Sequence, residues 1–364
     1  MESMGLNMSN HFYKSKKVFV TGHTGFKGAW LTKILTELGA EVTGYSLTSP
    51  TKPNLFGLLN FKDNLRSVIG DIRDFDSLYK AYRESAPEIV LHLAAQPIVR
   101  DSYEKPVYTY ETNVMGTVNL LECIRLTGNA RSVVNVTTDK VYTNQEWDWG
   151  YRENEPLCGY DPYSNSKSCS ELVTYSYNRS YFNKSGVPVS TARAGNVIGG
   201  GDFSKDRIIP DCIRAATSAG HEPIKIRNPY STRPYQHVLE PLFAYLLIAR
   251  KQYEDFKFAD CYNVGPDERD CVTTGYLADA FCKLWGDGMS WEKPESSGNE
   301  PHEASFLKLD CAKIKSKLGW KPLYGIDDAL SKTVEWTKAF YSEKQDVNEV
   351  CGNQIQEYLR EMTD

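Results

Sequence analysis

From residue 17 onward, short runs of β-branched and other apolar residues alternate with stretches whose apolar positions recur every three or four residues. This is the rhythm of strands joined by amphipathic helices. Runs at 18–21, 41–45, 67–69, 88–93, 132–137 and 188–193 predict six strands, and helical spacing covers 29–38, 75–84, 110–126 and 163–181 between them. Strands linked by crossover helices form a parallel sheet covered on both faces, so the fold predicted is α/β, a Rossmann-type doubly wound parallel sheet. After Asn196 glycine- and proline-rich loops take over, with helices predicted at 208–219, 239–252 and 277–284, which reads as a smaller mixed α/β lobe. The division is a loose tail over 1–15, the sheet domain mainly over 16–195, the lobe mainly over 196–340 with some chain returning to the sheet, and a polar peripheral segment over 341–364.

With 364 residues the chain can form one large or two intimate domains, and its 41% hydrophobic residues lie in the ordinary globular range. The net charge of -5 argues against a nucleic-acid groove or an anionic membrane surface as the main partner, because both call for a basic face. The longest purely apolar run, 242–249, falls far short of the ~20 residues that span a bilayer. No charged start, apolar core and cleavage site mark the N-terminus, and the expected location is cytoplasmic. The nine cysteines include no Cys-x-x-Cys pair and no nearby histidine grouping, so reduced thiols are expected and no metal.

Directly after the first strand, Gly22, Gly25 and Gly28 form a Gly-x-x-Gly-x-x-Gly run, with Thr24 and Phe26 inside it, at the opening of the first helix. Glycine there allows a sharp turn and lets backbone approach a pyrophosphate, which then sits on the free amides of the helix start. Three spaced glycines alone also suit an ordinary tight turn, but strand before and helix after favour a dinucleotide. Asp71 and Ile72 after the third strand, and Ala94, Ala95 and Gln96 after the fourth, extend that candidate cofactor surface. The carboxylate expected about 20 residues past the glycines to hold an adenine ribose is missing, since Tyr45-Ser46-Leu47-Thr48 occupies the place.

Asp161-Pro162 signals a helix start, and Tyr163 and Lys167, four apart, then share one helix face. A phenol beside an ammonium is expected to ionise more easily and to accept a proton from a hydroxyl while hydride leaves to a cofactor. The fifth strand ends in Thr137-Thr138-Asp139-Lys140, polar side chains at the carboxyl edge where such sheets bind ligands. In the second lobe Arg207, Arg227 and Arg233, with Gln236 and His237 nearby, are candidates for a diphosphate, and His302 is a further one. Each of these arginines singly is more often a solvated surface group.

These motifs, in this order, resemble the nucleotide-sugar branch of the extended short-chain dehydrogenase/reductase family, and several segments resemble its CDP-glucose 4,6-dehydratases. The likeness runs from about Lys17 to Trp336. It rests on the motif at 21–28, Ala-Ala-Gln-Pro at 94–97 with Val99-Arg100, and Asn113-Val114-Met115-Gly116-Thr117. It continues through Thr-Asp-Lys at 138–140, the segments 150–155 and 161–167, Arg193 to Asp202, 227–231 and Leu318-Gly319-Trp320.

The resemblance implies NAD as cofactor, with Asn113, Thr137, Tyr163, Lys167 and Arg193 added to its contacts and Asn196 added to the substrate's. It implies oxidation at C4 of the sugar through Tyr163 with Thr138 on the forming ketone, loss of water across C5 and C6, and return of hydride to C6. In relatives acting on dTDP-glucose the dehydration pair is Asp followed by Glu; here Lys140 stands second, so Asp139 is the expected acid and the base is open. The adjacent ammonium is expected to work against Asp139 keeping its proton. The resemblance further implies a homodimer through a four-helix bundle, with 110–126 and 163–181 as its candidate helices. Alternatives are a dTDP-glucose or GDP-mannose 4,6-dehydratase, a nucleotide-sugar 4-epimerase, or a non-catalytic NAD-binding sensor or scaffold.

Overall fold

The computed structural model describes residues 11–218, 222–295, 305–343 and 345–362. Its central strands are β1 (Lys17–Thr21), β2 (Glu41–Ser46), β3 (Leu65–Ile69), β4 (Ile89–His92), β5 (Ser132–Thr138), β6 (Val189–Ala194) and β7 (Cys261–Val264). They form one seven-stranded sheet in the order β7-β6-β5-β4-β1-β2-β3. Every pairing in it is parallel. The order reverses between β1 and β4, so the crevice at their carboxyl ends is the switch point where open α/β sheets take ligands.

The main helices are α1 (Phe26–Glu37), α2 (Phe75–Ser85), α3 (Gly116–Thr127), α4 (Pro162–Tyr177), α5 (Leu239–Glu254), α6 (Ile326–Ser342) and α7 (Val347–Glu361). Trp30, Leu31 and Ile34 of α1 pack with Leu242 to Ala249 of α5 on one face of the sheet. Leu78 and Tyr82 of α2 and Leu120, Leu121 and Ile124 of α3 cover the other. This double cover explains why β4, β5 and β6 read as continuous apolar runs: all their residues are buried. A separate cluster of Ile209, Ile213, Leu277, Phe281, Leu330 and Val334 forms the core of the part beyond β6.

The structure corrects several element expectations. A seventh strand, β7, joins β6 from the later part of the chain. The helix expected over 110–126 is interrupted by a π-turn, Glu111–Met115. Tyr13 is 2% exposed and its hydroxyl donates to the Leu246 carbonyl at 2.6 Å, so the chain is anchored before residue 15 instead of loose through it. The tail is not merely peripheral either. Tyr358 of α7 stacks on Phe243 and donates at 2.8 Å to Glu240, whose carboxyl also accepts from the Leu323 and Tyr324 amides. Burial pushes the Glu240 carboxyl up to about 7.

Candidate active site

The turn from β1 into α1 has the geometry a phosphate cradle requires. Gly22 sits at φ 78° with its amide on the Tyr45 carbonyl, and a Cβ there would lie 2.8 Å from the Ala94 amide nitrogen. A Cβ on Gly28 would fall 2.0 Å from the Gly22 oxygen, so helix and turn approach as closely as only glycine permits. Gly25 caps α1 without a side-chain hydrogen bond, and the first turn holds no acidic residue. The amides of the helix start are therefore free for an anion. Thr24 turns its hydroxyl to Ser46 at 2.9 Å and the Leu47 carbonyl at 2.8 Å, closing the cradle against the end of β2.

Asp71 is gripped by the Arg73 guanidinium at 2.7–3.1 Å and by the Arg73 amide at 2.9 Å, which holds its carboxyl below the usual range and ionised. Ile72 packs against Gly116, so close that a Cβ there would clash at 2.7 Å. The Ala94-Ala95-Gln96 loop is fixed by the π-turn: the Asn113 amide group takes the Gln96 N–H at 2.8 Å and donates to the Gln96 carbonyl and to Ser166. Asn113 and Gln96 thus tie α4 to the end of β4.

Thr138, Asp139, Tyr163 and Lys167 come together at the end of β5. Asp161 caps α4 through the Ser164 amide at 2.9 Å, which starts the helix where Tyr163 faces the sheet end. Tyr163 is buried, and burial pushes its phenol up to about 12 against a lowering hydrogen bond from Thr138. Lys167 donates to the Val136 carbonyl at 3.1 Å, and burial brings its ammonium down to about 8. The expected lowering of the phenol by Lys167 is therefore not what the chain alone displays, because desolvation of the buried phenolate is larger.

Asp139 also reverses its expectation. Only 1% exposed, its carboxyl is raised by burial, which outweighs the neighbouring Lys140. Thr138 donates to its Oδ1 at 2.9 Å, and Oδ2 has no partner among the described residues. Burial thus disfavours the charged form of this carboxyl relative to an exposed one. Lys140 is half-buried, with its amide on the Thr138 hydroxyl at 3.4 Å.

Thr137 and Arg193 leave the cofactor surface. Successive strand residues face opposite ways, and Thr137 points to Glu171 at 2.5 Å while its neighbour Thr138 points to Asp139. Arg193, paired across from Thr137, forks onto both Glu171 oxygens at 3.0 Å and onto Tyr142 and the Glu153 carbonyl. Every arm of the guanidinium is used, so both residues hold α4 to the sheet from beneath. Glu171→Ala is expected to cost ~3–5 kcal/mol by stranding a buried guanidinium. Urea unfolding checks this, and a loss under ~1 kcal/mol would mean water reaches Arg193.

The sequence did not single out Lys27, Tyr245 or Arg100 as site residues. Lys27 lies 6.0 Å from the Tyr245 ring centre and shares the electrostatic field of Lys167, Arg207 and Asp139. Burial first, then those cations, bring its amine down to about 7 from an ordinary 10.5. The unfolded chain therefore binds more protons between those values, and Lys27 destabilises the fold most at pH 7 and below. Lys27→Met is expected to raise the melting temperature of the cofactor-free protein at pH 6–7, with the gain fading toward pH 10. A gain independent of pH would contradict this. A charged residue inside a glycine motif was the available signal.

In the second lobe Arg227 lies 3.5 Å from Asp206, which Arg100 approaches from the sheet domain at 3.6 Å, and Arg207 pairs with Asp202 at 3.0 Å. Arg233, 7% exposed, bonds the Thr232 carbonyl and acts on Asp139. Asn196 is half-buried, its carbonyl accepting the Gln236 amide. Gln236 and His237 are core residues, 1% and 0% exposed, because their short strand pairs with Val197–Ile198 and leads into α5. Gln236 donates to the Val264 carbonyl, and His237 packs between Trp30 and Tyr324 with its pKa lowered to about 3 by burial. Both side chains are enclosed by these contacts, with Gln236 Oε1 and His237 Nε2 unpartnered among the described residues. His302 lies outside the described residues.

Among known proteins, the sequence model of the family described as GDP-mannose 4,6 dehydratase matches residues 19–333. A CDP-glucose 4,6-dehydratase of Salmonella typhimurium is 52% identical over 339 residues, covering 92% of this chain and 93% of that protein. A solved UDP-glucose 4-epimerase of Thermus thermophilus in complex with NAD is 26% identical, with TM-score 0.75 over 88% of this chain and 98% of that one. A dTDP-glucose 4,6-dehydratase of Bacillus anthracis in complex with NAD, 21% identical, superposes with TM-score 0.74 over 92% and 99% of the two chains, a likeness of fold. On the extent of these matches, the chain belongs to the GDP-mannose 4,6 dehydratase family, within the nucleotide-sugar branch of the extended short-chain dehydrogenases.

Proposed function

We propose that this protein is an NAD-dependent hydro-lyase that converts CDP-D-glucose to CDP-4-dehydro-6-deoxy-D-glucose, a step of deoxysugar synthesis. The observation that carries this reading is the buried carboxyl of Asp139, raised by burial and hydrogen-bonded by Thr138, in one cluster with Tyr163. A 4-epimerase needs the Tyr163-Lys167 pair and has no use for a second acid. The 52% identical CDP-glucose 4,6-dehydratase supports both reaction and nucleotide.

The glycine cradle, the free helix start and the small residues after β4 suit a dinucleotide, and Tyr45 to Thr48 present no charge to its ribose. Held there, NAD would supply the acceptor and store for the sugar's hydride. Tyr163 accepts the proton of the C4 hydroxyl, Thr138 holds the C4 oxygen, and Asp139 protonates the C6 hydroxyl as it leaves as water. Lys140, beside Asp139, is the candidate base at C5. Arg207, Arg227 and Arg233, joined by Arg100, suit a diphosphate, with Asn196 beside it. Residues 16–195 serve the cofactor and 196–340 the sugar nucleotide.

The four-helix homodimer is supported by an uncovered apolar face. Leu172 and Tyr175 of α4, Met115 and Val107 are 51–69% exposed, around a groove lined by Pro106, Tyr110, Val114 and Cys169. Sedimentation should give twice the chain mass. Among the described residues no helix is long and apolar enough to cross a membrane, and all nine cysteines are free, which supports a cytoplasmic location.

The test is turnover of CDP-glucose, dTDP-glucose, UDP-glucose and GDP-mannose by purified protein with NAD, followed by mass spectrometry. CDP-glucose should lose one water with kcat/KM at least about tenfold above the others, ~1.4 kcal/mol of discrimination. Preference for another nucleotide would overturn the substrate, and an isomer of unchanged mass would overturn the reaction.

A further inference from the structure

The Ala94-Ala95-Gln96 loop abuts the glycine turn, and two hydrogen-bonded lines that hold it in place both lead to one residue, His92, at the end of β4. His92 is 2% exposed, and burial brings its ring down to about 3, so it is neutral. Its Nδ1 lies 2.7 Å from the hydroxyl of Thr21 at the end of β1. Its Nε2 lies 3.1 Å from the hydroxyl of Thr117 in α3, which in turn donates to the carbonyl of Asn113, the residue that grips Gln96.

Counting hydrogens fixes which nitrogen carries the proton. The Thr21 hydroxyl oxygen accepts the Leu93 and Ala94 amides, both at 3.1 Å, so both of its lone pairs are taken and its own hydrogen needs an acceptor. Among the described residues His92 Nδ1 is that acceptor. The Thr117 hydrogen is already directed at the Asn113 carbonyl at 2.7 Å, so Nε2 carries the imidazole hydrogen and donates to Thr117.

The two arms are unequal. Without His92, Thr117 would keep both the Asn113 carbonyl and the Ser170 hydroxyl, 3.0 Å away. Thr21, fully buried, would be left with a hydrogen facing no acceptor, a state relieved by turning the hydroxyl away from the two amides. The Ala94 amide is also the point where the loop closes on the glycine turn, since a Cβ on Gly22 would lie 2.8 Å from its nitrogen.

We propose that His92 is a positioning residue for the cofactor: by taking the Thr21 hydrogen it keeps Thr21 a pure acceptor for the Leu93 and Ala94 amides, and so sets the gap between the glycine turn and the loop. The inference rests on dinucleotide binding at that turn and is independent of which sugar nucleotide is the substrate.

The amide of asparagine reaches the Nδ1 position of histidine and that of glutamine the Nε2 position, so two substitutions separate the arms. His92→Asn keeps an acceptor for Thr21, and His92→Gln keeps a donor for Thr117. Calorimetric titration of the cofactor-free protein with NAD should give a dissociation constant within about threefold of wild type for His92→Asn and at least about tenfold weaker for His92→Gln. Equal NAD affinity in the two variants, or affinity that simply follows their melting temperatures, would make the network structural only and overturn the proposal. If wild type itself binds no NAD, the cofactor reading fails instead. Should the histidine variants not fold, Thr21→Ser and Thr21→Val repeat the comparison at the acceptor. Serine should then match wild type and valine bind NAD at least about tenfold more weakly, and equal binding by the two would overturn the proposal.

Discussion

Tyr163→Phe is expected to lower kcat for CDP-glucose by roughly 10³-fold, with KM within a few-fold of wild type. The phenol is buried at the end of β5, beside Thr138 and in the electrostatic field of Asp139. The ring stays, so the packing of α4 on the sheet is kept. Stopped assays should detect neither oxidised sugar nor water loss, because removal of the C4 proton precedes both. A loss of less than about tenfold would place the base elsewhere.

Asp139→Asn should separate the reaction into its halves. Oxidation at C4 does not use the carboxyl, so quenched single turnovers should contain a nucleotide sugar two hydrogens lighter than substrate. Dehydrated product should fall by about 10²–10³-fold. The same substitution should stabilise the protein at neutral pH. The folded carboxyl is raised by burial, while the unfolded one ionises near the ordinary 3.8. Wild-type stability therefore falls as pH rises above that value and the unfolded chain releases its proton first. The gain from Asp139→Asn should be small near pH 4 and larger at pH 7. A variant less stable than wild type at pH 7 would contradict a carboxyl raised by burial.

The sheet was legible because its strands are buried on both faces and so stand out as β-branched runs. Cys261–Val264 escaped because a four-residue edge strand carries too little pattern, and the π-turn at Glu111–Met115 left no mark in a helix whose spacing it shifts by one residue. The clustering of Thr138, Tyr163 and Lys167 was legible from spacing, since Tyr163 and Lys167 must share a helix face and Thr138 must sit at a strand end. What sequence could not supply was desolvation. Lys140 beside Asp139 is visible in the sequence, the burial that outweighs it is not, and the direction of the shift reverses. Thr137 and Arg193 were misplaced for the same reason: a polar side chain in the sequence does not say whether it faces a cavity or completes a core network.

The central claim is that one hydride moves from C4 to C6 of the same sugar while water leaves. CDP-glucose carrying deuterium at C4, turned over with unlabelled NAD in ordinary water, tests it most directly. The account predicts a product lighter by one water with the deuterium in its C6 methyl group. A product of unchanged mass with deuterium still at C4 would contradict it and make the protein an epimerase.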